Sequence, residues 1–438
     1  MTKGTCKTAC STRPTTSTTP SISNQAAKFA VIAALGFASG LPLALSGFTL
    51  RMWLASDHLG LGMIGLTANI GLAYTLKFLW APVFDEVRPP ILGRRRGWLI
   101  SVQALLLAAI IALSFSNPAH HVGITLGIGA VVAFISASQD ILIDAWRIES
   151  FVPRAQGAAL GFYVWGYRAA MLVSGAGVIA LSVKTGWQMA ILGVAVLALV
   201  GPVATLCARE PIIARTSAPS GFAARFATAI KAPLAEFLSR RGALVIIAFI
   251  ILFRLGEALA GVMLAPYYTY LGFNRVAIAI ANGPVSLAAT LAGAALGGVM
   301  VARFGVGRAL IIGMVFQTVT LAMYPALAWY PGHPDMLIAT AIVESFAETF
   351  EYAGFLTYLS GLCAPEYTAT QYALLSSLSP LALHTLGGLS GFIAARIGFV
   401  PFFTVTIFAA LPALAVLAVI LKRYPPQEMG PSQAASEQ

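Results

Sequence analysis

Long apolar runs separated by short polar segments dominate the chain. A helix needs about 20 mostly apolar residues to cross a bilayer, and twelve stretches fit that length. The pattern predicts spans at 28–50, 61–82, 98–116, 121–146, 156–182, 187–208, 243–271, 276–302, 307–330, 335–362, 369–396 and 400–421. We therefore predict an all-α integral membrane protein with twelve transmembrane helices in two six-helix halves.

Polar stretches at the ends and in the middle divide the chain into five predicted regions. These are a disordered cytoplasmic tail (1–27), an N-terminal six-helix bundle (28–208), a cytoplasmic connector (209–241), a C-terminal six-helix bundle (242–423) and a second cytoplasmic tail (424–438). The first tail is rich in Thr and Ser and contains no acid and no apolar stretch, which predicts disorder and no cleaved signal peptide. Apolar residues at helical spacing in the connector are typical of a helix on the membrane surface.

The basic residues are distributed unequally between the two sides of the predicted bundle. If the chain starts in the cytoplasm, 20 of its 27 Lys and Arg residues fall in cytoplasmic tails and loops, and three lie within spans. Four fall outside: Arg51, Lys184, Arg275 and Arg396. Because Lys and Arg are retained in cytoplasmic loops, both termini are predicted to be inside. The net charge of +11 is then a topology signal with some attraction to anionic membrane lipid, and it does not indicate nucleic-acid binding.

Ionisable groups also occur within the predicted spans, although charged residues make up only 10% of the chain, against about a quarter in soluble domains. The acids are Asp140, Asp144, Glu257, Glu344, Glu348 and Glu351, and the cations are Lys77, Arg168 and Arg254. Such groups are costly to bury in a bilayer, so they pair, face a polar cavity or carry ions and protons. This set favours a transporter over two other classes, a membrane sensor and an intramembrane enzyme.

Predicted span 4 carries two acids one helical turn apart. Asp140 and Asp144 share one face of the helix, and Gln139 extends its polar side. Asp144 is expected near the cytoplasmic end, beside Arg147 or Lys77. Two alternatives remain open for Arg168 in span 5: a neutralising pair with Asp140, or binding of an anionic substrate group through its fork of donors.

The loop after span 2 combines an acid with a cluster of arginines. Asp85 precedes Arg94, Arg95 and Arg96, and Lys77 lies before them. This arrangement predicts a cytoplasmic latch, in which Asp85 pairs with a cation or caps a helix in only one conformation and stabilises the outward-open state. The alternative is that the loop carries only the positive charge that sets topology.

Several motifs together resemble AmpG-type muropeptide permeases of the major facilitator superfamily. They lie in spans 1, 4 and 5, in the loop after span 2 and at the start of span 11. In chain order they are Leu35–Leu45, Lys77–Trp98, Ser136–Trp146, Gly166–Arg168 and Ala369–Ser376. The resemblance covers essentially all twelve spans and is densest before residue 175.

The resemblance implies the major facilitator fold, in which the first and fourth spans of each half, here 1, 4, 7 and 10, line a central cavity. It also implies proton-driven import of GlcNAc–anhydro-MurNAc muropeptides across the bacterial inner membrane. The expected partners are this small-molecule substrate, protons and lipid. We expect a monomer that is not an enzyme and needs no cofactor or metal.

Span 10 departs from the family pattern. Glu344 matches a family glutamate, but Glu348 and Glu351 stand where the family has small residues. The added acids favour a cationic or amine-bearing substrate, and related permeases handle siderophores or acyl-CoA. The chain also ends soon after Leu421, whereas some family members carry extra spans.

The charged and polar residues are assigned three predicted roles. Proton coupling is assigned to Glu344, Glu348 and Asp140, with Glu344 first because it is mid-span and shared with the family. Substrate binding is assigned to Arg168, Gln139, Arg254, Glu257 and Glu351. The cytoplasmic gate is assigned to Lys77, Asp85, Arg94, Arg95, Arg96, Asp144 and Arg147.

Overall fold

The computed structural model describes most of both predicted bundles. The described residues are 22–81, 83–87, 89–90, 92–151, 156–211, 234–362, 375, 378, 380 and 383–423. Both predicted tails beyond these bounds, most of the connector and most of the Ala369–Ser376 motif lie outside them. All regular structure in the described residues is helical.

The first half contains helices α1 to α10, some of them joined by short π or 3-10 turns. Their bounds are α1 Ile22–Ala44, α2 Leu50–Ser56, α3 Leu61–Leu66, α4 Leu72–Leu76, α5 Val83–Glu86, α6 Arg94–Ser114, α7 Pro118–Ser150, α8 Gln156–Leu172, α9 Val178–Ala198 and α10 Val200–Cys207. Helix α9 bends at Gly186, whose φ of +77° suits glycine because it lacks a Cβ. The bend separates predicted spans 5 and 6.

The second half contains helices α11 to α19. Their bounds are α11 Ala243–Leu252, α12 Leu255–Tyr270, α13 Arg275–Ile280, α14 Ser286–Phe304, α15 Val306–Thr320, α16 Met323–Leu327, α17 Pro334–Gly361, α18 Ser390–Ile397 and α19 Phe399–Arg423. Helix α17 corresponds to predicted span 10, and α11 with α12 corresponds to predicted span 7.

Eight helical stretches in the described residues are long and apolar enough to cross a membrane. One of them, Ala159–Cys207, has 49 residues and includes the bend at Gly186. The apolar stretch Leu61–Leu76 is shorter, α17 carries four acids, and predicted span 11 is only partly described. The predicted all-α membrane architecture is confirmed, whereas the predicted number of twelve spans is not.

Buried apolar residues pack differently at the two ends of the molecule. We call the end that holds Arg94 and Glu210 the basic end, and the end that holds Lys184 and Arg275 the opposite end. At the opposite end, residues of both halves, such as Trp53, Trp187, Tyr268 and Phe403, belong to one shared core. At the basic end each half has a core of its own, around Trp146 in the first half and Phe249 in the second. Within the described residues, the two halves are therefore joined at the opposite end and separate at the basic end.

Glycines allow α3 of the first half and α18 of the second to approach closely at the opposite end. A Cβ added at Gly65 would lie 2.9 Å from the backbone N of Gly391, and one added at Gly391 would overlap the carbonyl oxygen of Leu61. Small residues permit such backbone contact between helices in lipid. The Arg275 guanidinium adds a cation–π contact 5.0 Å from the centre of the Trp187 ring. These contacts close the opposite end.

Short π-helical turns interrupt three helices near the centre of the molecule. They are Leu45–Thr49, Val173–Gly177 and Ala281–Val285. Thr49 Oγ1 donates a hydrogen bond of 2.8 Å to the carbonyl oxygen of Ser174, which joins the first two turns. A Cβ at Gly283 would lie 2.5 Å from the Ala176 Cβ, so the third turn packs on the second across the two halves. Such π turns are frequent at functional sites.

The first π turn corrects one sequence prediction. The charge of Arg51 predicts the end of span 1 at residue 50 and places Arg51 in an outer loop. In the structure the helix continues through Leu45–Thr49 and α2 to Ser56, and Arg51 is half-buried within it. Its charge is accommodated because the side chain borders a polar cavity instead of lipid.

Candidate functional site

A cavity of about 580 Å³ lies between the two halves. Residues of predicted spans 1, 7 and 10 line it, as expected, and residues of predicted spans 2, 5, 8, 9 and 11 contribute as well. Helix α7, which corresponds to predicted span 4, contributes no lining residue in the described part of the chain. The expectation that span 4 lines the cavity is therefore wrong for this conformation.

The wall formed by the second half carries a charged triad. Helix α11 ends at Leu252 and α12 begins at Leu255, and this break places Arg254 beside α17. Arg254 donates from Nε to Glu257 Oε2 at 2.7 Å, and its Nη2 donates to the carboxylates of both Glu257 and Glu348. The Arg254 guanidinium also lies 5.1 Å from the centre of the Tyr352 ring. One cation is thus shared by two carboxylates that face the cavity.

The wall formed by the first half carries Arg51 and Arg168. Arg168 lies on α8 and its side chain is exposed to the cavity. No ion pair joins Arg168 to a carboxylate within the described residues, so the proposed pair with Asp140 does not form. The other alternative, an arginine available to an anionic ligand, fits the position of Arg168.

Asp140 lies behind this wall, in a polar network of the first half. Its carboxylate accepts a hydrogen bond from Ser39 Oγ, and its Oδ2 lies 3.8 Å from Lys77 Nζ. Ser39 Oγ also lies 3.0 Å from the Tyr163 hydroxyl. Gln139 is only 1% exposed and does not line the cavity. The polar face of α7 thus packs against α1 and Lys77, which explains why span 4 is not part of the cavity wall.

Two of the three glutamates on α17 are buried behind the second wall. Glu344 is 6% exposed and Glu351 is 4% exposed, and neither lines the cavity. Glu344 Oε2 lies 3.4 Å from Gln317 Nε2 on α15, and Glu344 Oε1 has no hydrogen-bond partner in the described part of the chain. Glu351 packs on Gly313, where a Cβ would lie 2.9 Å from the Glu351 Cα. Of the three glutamates, Glu348 alone lines the cavity.

The arginine cluster at the basic end is held by two acids that sequence reasoning missed. Glu149 accepts from Arg94 Nη2 at 3.0 Å and from Arg95 Nε at 3.0 Å. Glu210 accepts from the backbone N of Arg95 at 2.8 Å and of Arg96 at 3.0 Å. Glu210 therefore caps the N-terminus of α6, where a negative charge is favourable. The signal available in the sequence was the position of both acids at the ends of predicted spans 4 and 6.

Contacts of the other predicted gate residues also stay within the first half. Arg96 donates to the carbonyl oxygens of Thr205 at 3.1 Å and Leu206 at 2.9 Å, near the C-terminus of α10. Asp144 Oδ1 lies 3.3 Å from Arg147 Nη2. Asp85 belongs to α5, and its side chain lies outside the described part of the structure. The described gate contacts therefore tie helices of one half together and do not bridge the two halves.

The described residues contain no group of three His, Cys, Asp or Glu side chains arranged to hold a metal ion. Cys6, Cys10 and Cys363 lie outside the described residues. What the structure provides is a cavity between two helical halves, with cations on one wall and a shared cation–carboxylate triad on the other. This arrangement suits reversible binding of a polar solute.

Comparison with known proteins agrees with this architecture. Residues 248–437 match the Major Facilitator Superfamily, and residues 28–185 match the family described as Acetyl-coenzyme A transporter 1. Anhydromuropeptide permease of Escherichia coli (strain K12) is 36% identical over 401 residues, which are 90% of this chain and 80% of that protein. Putative transporter AmpG 4 of Rickettsia felis is 32% identical over 89% of this chain and 95% of its own length.

Solved structures show the same fold at low sequence identity. A bacterial homologue of the human lysosomal transporter Spinster superposes with a TM-score of 0.71 at 14% identity, over 93% of this chain and 99% of that chain. A D-xylose–proton symporter superposes with a TM-score of 0.68 at 14% identity, over 93% of this chain and 99% of that chain. With a permease relative 36% identical along nearly the whole chain, this multi-pass membrane protein belongs to the AmpG family of transporters, within the major facilitator superfamily.

Proposed function

We propose that this transporter imports muropeptides, GlcNAc–anhydro-MurNAc with or without attached peptide, across the bacterial inner membrane by proton-coupled alternating access. The observation that carries the proposal is the 36% identity to Escherichia coli anhydromuropeptide permease over 90% of the chain. The aligned region, 401 residues, spans both halves of the chain.

The chemistry of the cavity supports a large polar solute. Its volume of about 580 Å³ lies within the range of about 300–1,000 Å³ found for ligand pockets. Tyr74, Tyr324, Tyr352 and Asn282 line it, and they supply hydroxyl and amide groups together with ring surfaces. Sugar rings present hydroxyl and amide groups beside apolar faces, so these side chains match an amino sugar.

The separation of the two halves at one end supports alternating access. The opposite end is closed by a shared core, and within the described residues no such core joins the halves at the basic end. We propose on this basis that the cavity opens toward the basic end. The excess of Lys and Arg at the basic end favours the cytoplasm for that side. The conformation described is then inward-facing, with both termini in the cytoplasm.

Proton coupling is proposed for three acids, with Glu344 first, then Glu348 and Asp140. Glu344 is buried beside Gln317 and is not held in the ionised form by a cation at hydrogen-bonding distance within the described residues. Glu348 and Asp140 have cation partners, Arg254 and Lys77, whose positive charge stabilises the ionised carboxylate. A carboxyl group without such a partner is better suited to binding and releasing a proton in each transport cycle.

The test is uptake of labelled GlcNAc–anhydro-MurNAc into membrane vesicles, with and without a pH gradient. The wild-type protein should accumulate the ligand only with the gradient. Glu344→Gln should lose accumulation and keep counterflow exchange, since exchange needs no net proton movement. Glu236→Gln is the matched control because its side chain is partly exposed in a local pair with Arg240 at the basic end. Accumulation by Glu344→Gln would assign coupling to Glu348 or Asp140, and absence of uptake by the wild type would refute the proposed function.

A second candidate substrate is acetyl-coenzyme A. It is favoured by one specific observation, the match of residues 28–185 to the family described as Acetyl-coenzyme A transporter 1. The same vesicles distinguish the two substrates. Acetyl-coenzyme A should not compete with the labelled muropeptide at equal concentration if the muropeptide is the substrate.

The remaining roles are proposals that follow from this function. Gln139 and Glu351 are second-choice binding residues, because both are buried away from the cavity in the described conformation. The proposed gate keeps Lys77, Asp85, Arg94–Arg96, Asp144 and Arg147.

We propose that the protein is a monomer that contacts lipid and does not bind nucleic acid. We propose that it is organised as a tail (1–27), two bundles (28–208 and 242–423), a connector (209–241) and a second tail (424–438).

A further inference from the structure

The two walls of the cavity differ in charge. The wall of the first half presents Arg51 and Arg168 and no acid among the described residues. The wall of the second half presents Arg254 together with Glu257 and Glu348, and both carboxylates bind that arginine. The cavity is therefore positive on one side and negative on the other.

The surroundings of Arg51 are typical of a ligand-binding arginine, because it lines the cavity and has no acidic partner among the described residues. It lies on α2, directly after the π turn that lines the cavity, and is half-buried. Its Nε is buried without a hydrogen-bond partner, and no ion pair with Arg51 forms in the described part of the chain. A guanidinium stays protonated at physiological pH and offers five N–H donors in a planar fork.

The neighbours of Arg51 do not neutralise it. Arg51 lies close enough to His384 of the second half for their charges to interact, and His384 Nδ1 lies 3.0 Å from the carbonyl oxygen of Ala68. Arg168 lies on the same wall, exposed, with no carboxylate partner in the described residues. Two arginines without acidic partners at membrane depth are costly unless an anion or water in the cavity compensates them.

We infer that Arg51 and Arg168 form an anion-binding subsite that takes the carboxylate of the transported solute. The inference rests on the proposed function and defines the orientation of the ligand: its carboxylate faces the first half, and its neutral or amine-bearing part faces Glu348 and Glu257. An organic solute that carries a carboxylate at one end and sugar or amine groups at the other fits both walls. Arginine binds carboxylates through two parallel hydrogen bonds, which fixes orientation as well as affinity.

The test compares two ligands on the purified full-length protein in lipid nanodiscs. One is GlcNAc–anhydro-MurNAc, which carries a lactyl carboxylate, and the other is its carboxamide analogue. The wild-type protein should bind the acid at least about tenfold more tightly than the amide, because a hydrogen bond to a charged group contributes more than one to a neutral group. Arg51→Gln should weaken binding of the acid to about the level of the amide, and should leave the affinity for the amide unchanged.

Three further variants control this experiment. Arg51→Lys should recover part of the preference for the acid, and Arg168→Gln should reproduce the loss if Arg51→Gln does not fold. Arg303→Gln should bind both ligands as the wild type does, since Arg303 is exposed and does not line the cavity. Thermal unfolding of each variant in detergent separates a loss of binding from a loss of fold.

The outcomes distinguish this inference from the proposed function. If the wild type binds acid and amide equally well, the subsite is refuted and muropeptide transport stands. If the wild type binds neither ligand, the proposed function is refuted and the subsite with it. If acetyl-coenzyme A binds in an Arg51-dependent manner and the disaccharide does not, the anion is a phosphate and the carboxylate assignment is overturned.

Discussion

At the scale of single residues, the basic end is organised by two carboxylates that arrive from distant parts of the chain. Glu149 at the end of α7 binds Arg94 and Arg95, and Glu210 after α10 caps the first turn of α6. Arg95 is only 5% exposed, and the nearby Glu149 carboxylate compensates its charge. These pairs fix the ends of α6, α7 and α10 relative to one another within the first half.

Removing one partner of this buried pair should destabilise the protein. Glu149→Gln removes the carboxylate that binds this buried arginine, and losing one partner of a buried pair typically costs about 3–5 kcal/mol. We expect a decrease of about 3 kcal/mol in the free energy of unfolding, measured by denaturant titration in detergent micelles. Glu236→Gln is the control: its side chain is 35% exposed in a local pair with Arg240, and such a pair contributes less than about 1 kcal/mol. Equal losses for the two variants would contradict the structural role of Glu149.

At the scale of helices, glycines decide where the two halves can touch. Helices α3 and α18 cross with backbone atoms in contact because Gly65 and Gly391 carry no Cβ. The π turn Ala281–Val285 approaches Val173–Gly177 in the same way, through Gly283 against Ala176. The closed opposite end is thus specified by small residues on helices that belong to different halves.

A methyl group at this crossing should open the opposite end. In Gly391→Ala the added Cβ would overlap the carbonyl oxygen of Leu61 and approach the Cα of Gly62 to 3.1 Å. We expect the conformational equilibrium to shift toward the state open at the opposite end. This shift should appear as faster labelling, from the outer side, of a cysteine introduced at Gly261, which lines the cavity and where a Cβ meets no atom within 4 Å. In Gly298→Ala the Cβ would meet no atom within 4 Å, so this control should leave labelling unchanged. Unchanged labelling in Gly391→Ala would show that the contact does not limit opening.

At the scale of the whole molecule, the described residues form one core shared by both halves and two cores that each belong to one half. The apolar residues that join the halves lie at the opposite end, and within the described residues the two cores of the basic end are not continuous with each other. In the alternating access that we propose, a rigid-body rotation of the halves about the central cavity exchanges which end is closed. The charged walls would then be exposed first to one side of the membrane and then to the other.

A single introduced cysteine, in a protein whose own cysteines are replaced, can test to which side of the membrane the cavity opens. Gly261 lines the cavity and a Cβ there meets no atom within 4 Å, so Gly261→Cys should be tolerated. We expect a membrane-impermeant thiol reagent to label it from the cytoplasmic side of inverted vesicles, and Gly391→Ala should reduce that labelling. Gly298→Cys on α14 is the control that should not respond to Gly391→Ala. Labelling of Gly261→Cys from the outer side alone would contradict the inward-facing assignment.

Topology gives an independent prediction at the same scale. From the excess of Lys and Arg at the basic end, we predict that this end lies in the cytoplasm. In intact cells an impermeant reagent should label Lys184→Cys, which is exposed at the opposite end, and should not label Leu92→Cys, which is exposed at the basic end. Labelling of Leu92→Cys from outside would reverse the orientation.

Much of the fold and part of the site were predictable from the sequence. Apolar runs of span length and acids placed within them identify a helical membrane transporter, because both signals are local along the chain. Arg168, Arg254, Glu257 and Glu348 were singled out as charged residues within predicted spans, and all four line the cavity. The position of Arg51 in the cavity wall was not predicted. A charged residue at the end of an apolar run gives the same sequence pattern whether it lies in a loop or lines a cavity.

What only the tertiary structure decided is which polar groups meet. Asp140 and Arg168 lie about one span apart in the sequence, and this spacing is compatible with an ion pair or with two separate environments. In the structure α7 packs against α1, so Asp140 lies near Lys77 and Ser39. Arg168 instead lines the cavity. Glu210 and Arg95 are separated by 115 residues, so no periodicity relates them. The sequence by itself determined the helices, their membrane setting and the family, because hydrophobicity and motifs act locally. The tertiary structure decided the charge of each cavity wall, the partners of each acid and which end of the molecule is closed. These features depend on contacts between helices that are far apart in the sequence, and only three-dimensional packing determines such contacts.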